Sequence, residues 1–122
     1  MTEPAARFFL TRRAALDLRL IYTHSCREWG EEVADRYIRD LYAAIQNAAA
    51  NPEAGRLRQH RSAPFLMIPA QRHFVIYDII PQGIVALTLP HQVRDIETLV
   101  TQRMPAFLAE IERLKRRHDG QD

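Results

Sequence analysis

Residues 73–80, His73-Phe74-Val75-Ile76-Tyr77-Asp78-Ile79-Ile80, run through Pro81-Gln82-Gly83 into Ile84-Val85-Ala86-Leu87-Thr88-Leu89. β-Branched and aromatic residues dominate both runs, which is the composition of strands. The proline-glycine turn between them makes an antiparallel hairpin. Successive strand side chains point to opposite faces, so Val75, Tyr77 and Ile79 share one face and Phe74, Ile76 and Ile80 the other. Both faces are apolar, and a strand of that kind is covered on both sides. This hairpin is therefore expected at the centre of a domain.

Upstream, 65–68 (Phe-Leu-Met-Ile) is a third strand, which completes a three-stranded antiparallel meander. Before it the pattern is helical. Val33, Tyr37, Ile38, Leu41, Ala44, Ile45 and Ala48 form one stripe, Glu31 and Glu32 suit the positive helix start, and Asn51-Pro52 closes the helix. The preceding stripe is Ala14, Leu18, Ile21, Tyr22, Ser25 and Trp29, with Thr11 as N-cap and Gly30 as terminator. So short a junction predicts an αα-hairpin. Residues 7–10 (Arg-Phe-Phe-Leu) are an opening strand.

Downstream, Ile96, Leu99, Val100, Met104, Phe107, Leu108, Ile111 and Leu114 keep a helical stripe, which Pro105 is expected to kink or split. Phe107, Leu108 and Ile111 are expected to cover the open face of the sheet, or to pack on a second copy. The order β-α-α-β-β-β-α predicts an α+β fold: an N-terminal strand, an αα-hairpin, a three-stranded antiparallel meander and an extended, kinked C-terminal helix. One domain over 1–122 is expected, with a core at about 7–100 and a helical extension over 101–122.

Composition narrows the functional classes. Apolar residues are 47% and charged residues 26%, which argues against disorder. No apolar run has membrane-spanning length, and Met1 to Leu10 lacks the plan of a secretory signal, so a cytoplasmic protein with no membrane partner is expected. The single cysteine, Cys26, excludes an internal disulfide and a cysteine metal cluster, and reads as a small packed residue. The five histidines lack metal-ligand spacing, and with four glycines there is no phosphate loop, so neither metal nor cofactor is expected. Net charge is +2, yet sixteen of the seventeen basic residues are arginine, whose planar fork pairs with carboxylate and phosphate. The basic run Arg113, Lys115, Arg116 and Arg117 suits a solvated helix end.

Several pieces of this order coincide with one family. They are Leu10-Thr11 leading to Ala14, Asp17-Leu18 and Ile21-Tyr22; Trp29-Gly30 followed by Ala34, Tyr37 and Leu41; Asn51-Pro52 with Gly55; His73, Val75 and Tyr77 as an H-x-V-x-Y strand; and Leu89, His91 and Asp95. Together they resemble the RelE/ParE toxin superfamily of type II toxin-antitoxin systems, over residues 7–100. The resemblance implies one of two modes. RelE-like members cut mRNA on the ribosome, whereas ParE-like members act on DNA gyrase by binding. It also implies a cognate antitoxin, whose C-terminal segment wraps the helical hairpin and sheet, and a homodimer or toxin-antitoxin hetero-oligomer.

RNA cleavage needs proton carriers and phosphate-binding cations. The candidates for an endonuclease are Arg61, Arg72, Tyr77 and His91, with His73 a further proton carrier. Gln92 follows His91 where a tyrosine would be wanted, the sheet region has no lysine, and no tyrosine follows Tyr77. The ParE-like branch, a binding toxin without its own chemistry, is therefore favoured, with Arg58, Arg61, Arg72, His91 and Arg94 as target-binding residues. His73 and Tyr77 read equally as packed residues with satisfied polar atoms, and His91 as a capping residue. On the first helix, Leu16, Leu20, Thr23 and Arg27 form a strip opposite the core stripe at 100° per residue. They are the expected antitoxin contacts.

Overall fold

The structure, a computed structural model, describes residues 7–59 and 64–119. Its elements are β1 (Phe8–Leu10), α1 (Arg12–Trp29), α2 (Glu31–Ala50), a 3-10 turn (Pro52–Ala54), β2 (Arg56–Arg58), β3 (Phe65–Ala70), β4 (His73–Ile80), β5 (Gly83–Thr88) and α3 (Ile96–Asp119). The strands form one sheet in the order β1-β5-β4-β3-β2. β1 runs parallel to β5, and the remaining neighbours are antiparallel.

The doubly apolar hairpin lies where its pattern requires, with β4 in the middle of the sheet. Val75 and Tyr77 pack with Leu18, Leu41 and Ile45 of the helical hairpin on one face. Ile76 and Ile80 pack with Val100, Met104, Phe107 and Ile111 of α3 on the other. The molecule is thus three layers, α1/α2 over the sheet over α3. Ile79, expected in the core, is 41% exposed.

Local chemistry sets the corners. Thr11 Oγ1 accepts the Ala14 amide at 3.0 Å and donates to the Leu87 carbonyl at 2.6 Å, so one side chain caps α1 and ties its start to β5. Gly30 takes φ +90 and lets α2 begin at once. A Cβ on Gly55 would collide with the Tyr77 hydroxyl, which donates to the Pro52 carbonyl at 2.6 Å. Pro69 is tolerated in β3 because of its register. It faces Phe74, whose amide donates to Pro90 on the β5 side, so the nitrogen of Pro69 points away from β4, beyond the last residue that β2 pairs.

Three details differ from the sequence reading. The antiparallel part of the sheet has four strands, not three: Arg56–Arg58 pairs with Phe65–Met67. Pro105 does not split the last helix, which is continuous over Ile96–Asp119. A proline in the interior of a helix costs about 3 kcal/mol. The burial of Met104, Phe107 and Ile111 on either side of it is worth about 1.5–3 kcal/mol per side chain and outweighs that cost. The same helix carries Val100 and Phe107 in one cluster. Finally, Trp29 and Val33 lie outside the core, at 59% and 40% exposure, because both sit at the α1–α2 junction where the hairpin overhangs the sheet. Leu108 is also partly exposed, whereas its neighbours Phe107 and Ile111 are buried.

Candidate functional site

Three chain segments meet at one end of the sheet: the α1–α2 junction, the β3–β4 turn and the exit of β5. The turn is Gln71-Arg72 between paired Ala70 and His73. Gln71 takes φ +56, a conformation side chains other than glycine rarely adopt. It is held there from both sides. Its side-chain Nε2 donates to Asp40 Oδ2 at 2.9 Å, and its backbone carbonyl accepts from Gln92 Nε2 at 2.9 Å. Such a braced corner presents Arg72 outward, with its guanidinium carbon 6.0 Å from the centre of the exposed Trp29 ring, a cation–π arrangement.

Behind Arg72 lies a polar stack. The Tyr37 hydroxyl accepts the Arg72 amide at 3.1 Å and stands 2.7 Å from His73 Nδ1. In the Nε2–H tautomer of His73 the hydroxyl donates to that nitrogen. The His73 and His91 rings are 5.1 Å apart and edge-to-face, and their main chains form an isolated bridge. Burial pushes His73 down to about 4, repulsion from His91 and His24 adds to this, and Asp17 opposes it. His73 is therefore neutral at physiological pH. His91 is exposed, and Val93 beside it is 84% exposed.

A buried acid supports the stack from below. Asp17 Oδ2 accepts the Thr88 hydroxyl at 2.5 Å and the Leu89 amide at 2.9 Å, and its Oδ1 lies 2.7 Å from Arg13 Nε. These contacts hold the end of β5 against α1, and so aim the following segment that carries His91.

The other expected target residues fall elsewhere. Arg58 and Arg94 line a groove of about 530 Å³ on the α3 side of the sheet, where Arg58 Nη2 is 3.9 Å from Glu97 Oε1. Arg94 is joined to the first cluster through its amide, which donates to the His91 carbonyl at 3.0 Å. Arg61 lies outside the described residues. Tyr77 is fully buried, its hydroxyl spent on Pro52. That placement removes it from any surface a substrate could reach. On α1, Leu20, Thr23 and Arg27 are exposed, whereas Leu16 is half-buried beside α3.

Two residues of this site escaped the sequence reading. Trp29 falls on the apolar stripe, which predicts a core position. Its position in the last turn before Gly30 was the signal that it could reach past the partner helix. Asp17 sits at the i+3 position from Ala14 and next to Leu18, inside the stripe. An acid on an apolar face is the mark of a buried, hydrogen-bonded carboxylate.

The family model for the ParE toxin of type II toxin-antitoxin systems, parDE, matches residues 8–96. Toxin ParE1 of Mycobacterium tuberculosis (strain CDC 1551 / Oshkosh) is 29% identical over 94 residues, covering 76% of this chain and 96% of the relative. Toxin ParE1 of Caulobacter vibrioides (strain ATCC 19089 / CIP 103742 / CB 15) is 36% identical over 70 residues, covering 57% of this chain and 73% of the relative. Among solved structures, a chain of the chromosomal ParDE TA system from P. aeruginosa superposes with a TM-score of 0.62 at 19% identity, covering 71% of this chain and 96% of that one. That last likeness is one of fold. The matched family region takes in β1 to β5 and ends at the first residue of α3.

Proposed function

Because the chain belongs to the ParE toxin family of type II toxin-antitoxin systems, we propose that it arrests growth by binding and inhibiting DNA gyrase in the cytoplasm, and that a cognate antitoxin neutralises it in a hetero-oligomer. The carrying observation is the Arg72–Trp29 pair, exposed on a braced turn beside His91. Arginine and tryptophan are the side chains that most often dominate a protein interface. Target contact is assigned to Arg72 and His91, with Arg58, Arg61 and Arg94 extending the surface. Trp29 joins them. Antitoxin contact is assigned to Leu16, Leu20, Thr23 and Arg27 on α1.

What favours binding over RNA cleavage is the placement of two of the three candidate proton carriers, which leaves His91 alone at the surface. General acid–base work needs an accessible group that titrates near the working pH. His73 is packed and neutral, and Tyr77 is enclosed. Among the described residues no helix is long and apolar enough to cross a membrane, and no group of three His, Cys, Asp or Glu side chains is placed to hold a metal.

The test is a supercoiling assay with purified gyrase, run beside a ribosome-bound mRNA cleavage assay. Inhibited supercoiling, lost in Arg72→Ala, is the expected result. Cleaved mRNA with untouched supercoiling would put the endonuclease reading in its place.

A further inference from the structure

The first turn of α1 is electrostatically inverted. A helix N-terminus favours acids, yet this one has none in its first turn and opens with Arg12 and Arg13. The missing carboxylate comes from the other end of the chain: Glu110 Oε2 on α3 accepts the Arg12 amide at 3.0 Å. Between the two helices lies a groove of about 540 Å³, with Arg12, Arg13, Arg103 and Arg113 on its walls and Leu16 and Phe107 against it. Four arginines face Glu110 alone among the lining side chains, and counting Asp17, which pairs with Arg13, still leaves two positive charges in excess (four minus two). Arg103 feels the crowding. Burial pushes its guanidinium down, repulsion from Arg13 and Arg94 pushes it further, and only Asp17 opposes.

We propose that this groove is a docking site for an acidic, amphipathic peptide segment, with its carboxylates on Arg13, Arg103 and Arg113 and an apolar side chain against Leu16, Ala106 and Ala109. The occupant is an acidic part of the antitoxin. The proposal deepens the antitoxin reading and rests on it, because Leu16 belongs both to the outer strip of α1 and to the groove. Charge complementarity selects an anion, and guanidinium forks bind carboxylates bidentately. The apolar floor of Leu16, Ala106 and Ala109 selects a peptide over a nucleic-acid backbone, which has no apolar side chain to place there. Residues beyond 96, which supply the α3 wall, lie outside the matched family region.

The test uses the full chain. A labelled synthetic peptide with Glu and Leu at helical spacing is titrated against it, next to the same peptide with Gln for Glu, and with oligothymidylate as competitor. The Glu peptide should bind, its affinity should fall about tenfold in Arg103→Gln/Arg113→Gln, and it should rise in Glu110→Gln, which keeps the acceptor for Arg12 but removes the resident charge. A purely structural role for these residues would not produce a gain. Arg113→Gln alone, at an exposed position, serves if the double variant melts early. Equal binding of the Gln peptide, displacement by oligothymidylate, or affinity unmoved by the arginine changes overturns the proposal. Titration with the cognate antitoxin separates the two readings. Weakening by Leu20→Ser but not by Arg103→Gln/Arg113→Gln sinks the groove and leaves the α1 face standing. Weakening by the arginine pair but not by Leu20→Ser does the reverse.

Discussion

Asp17 on α1 and Thr88 at the end of β5 are joined by a buried hydrogen bond across 71 positions of sequence. The same carboxylate accepts the Leu89 amide, so one acid satisfies two buried donors. Asp17→Ala leaves both without an acceptor. The expected cost is about 2–4 kcal/mol in urea denaturation. A loss below about 0.5 kcal/mol would mean that the contact is not formed in solution.

Function and stability should separate at Trp29, Arg72 and Tyr77. Trp29→Ala and Arg72→Ala remove exposed anchors and should each weaken gyrase inhibition by about tenfold or more, with little change in melting temperature. Tyr77→Phe loses the bond to Pro52 and should cost about 1 kcal/mol of stability while inhibition is kept. His91→Gln keeps hydrogen bonding and should also leave inhibition nearly intact. The opposite pattern in folded protein, inactive Tyr77→Phe beside active Arg72→Ala, would show that proton transfer is the mechanism.

Acid should weaken the fold through His73. In the unfolded chain its imidazole takes a proton near pH 6.5, in the folded protein only near 4. Between those values the unfolded state holds more protons, so stability falls as pH is lowered through that window and is unaffected above it. The ceiling is about 3 kcal/mol. Denaturation midpoints of the parent and His73→Gln, followed from pH 7 to pH 4, should converge as pH falls if this residue carries the effect.

The α3 layer should be part of the cooperative fold. Phe107→Ala opens a cavity under β4 and β5 and should cost about 3–5 kcal/mol. Leu108→Ala, one residue on and partly exposed, should cost under about 1 kcal/mol. Similar small losses from both would make α3 an appendage.

Much of this architecture was legible where burial is two-sided or where a corner demands a residue type. The run 73–80 is apolar on both faces, and both faces are covered. Thr11, Gly30 and Asn51 sit at the helix ends where their chemistry placed them. The misses have a common cause, which is dependence on distant partners. Arg56-Leu57-Arg58 has no strand composition, and only the edge of β3 makes it one. A stripe count treats Trp29 like Leu18, although one overhangs the sheet and the other lies on it. Arg72 was singled out for its charge, but its pairing with Trp29 depends on a turn geometry that Gln71, not a glycine, adopts.

The parallel pairing of β1 with β5 also orders events in time. β1 borders only the strand that carries its partner Ile84 and neighbours, and Thr11 reaches Leu87 across 76 positions. A ribosome delivers the chain from the N-terminus, so Phe8–Leu10 must wait unpaired until Gly83–Thr88 has emerged. The helical hairpin can form earlier from local contacts, but its apolar face has no sheet to rest on until then. The segment that carries His91 is likewise held by Asp17 only once Thr88 and Leu89 have emerged. The nascent polypeptide therefore carries an unassembled contact surface through most of its synthesis, and during that interval the hairpin is the part of it that another protein could recognise first.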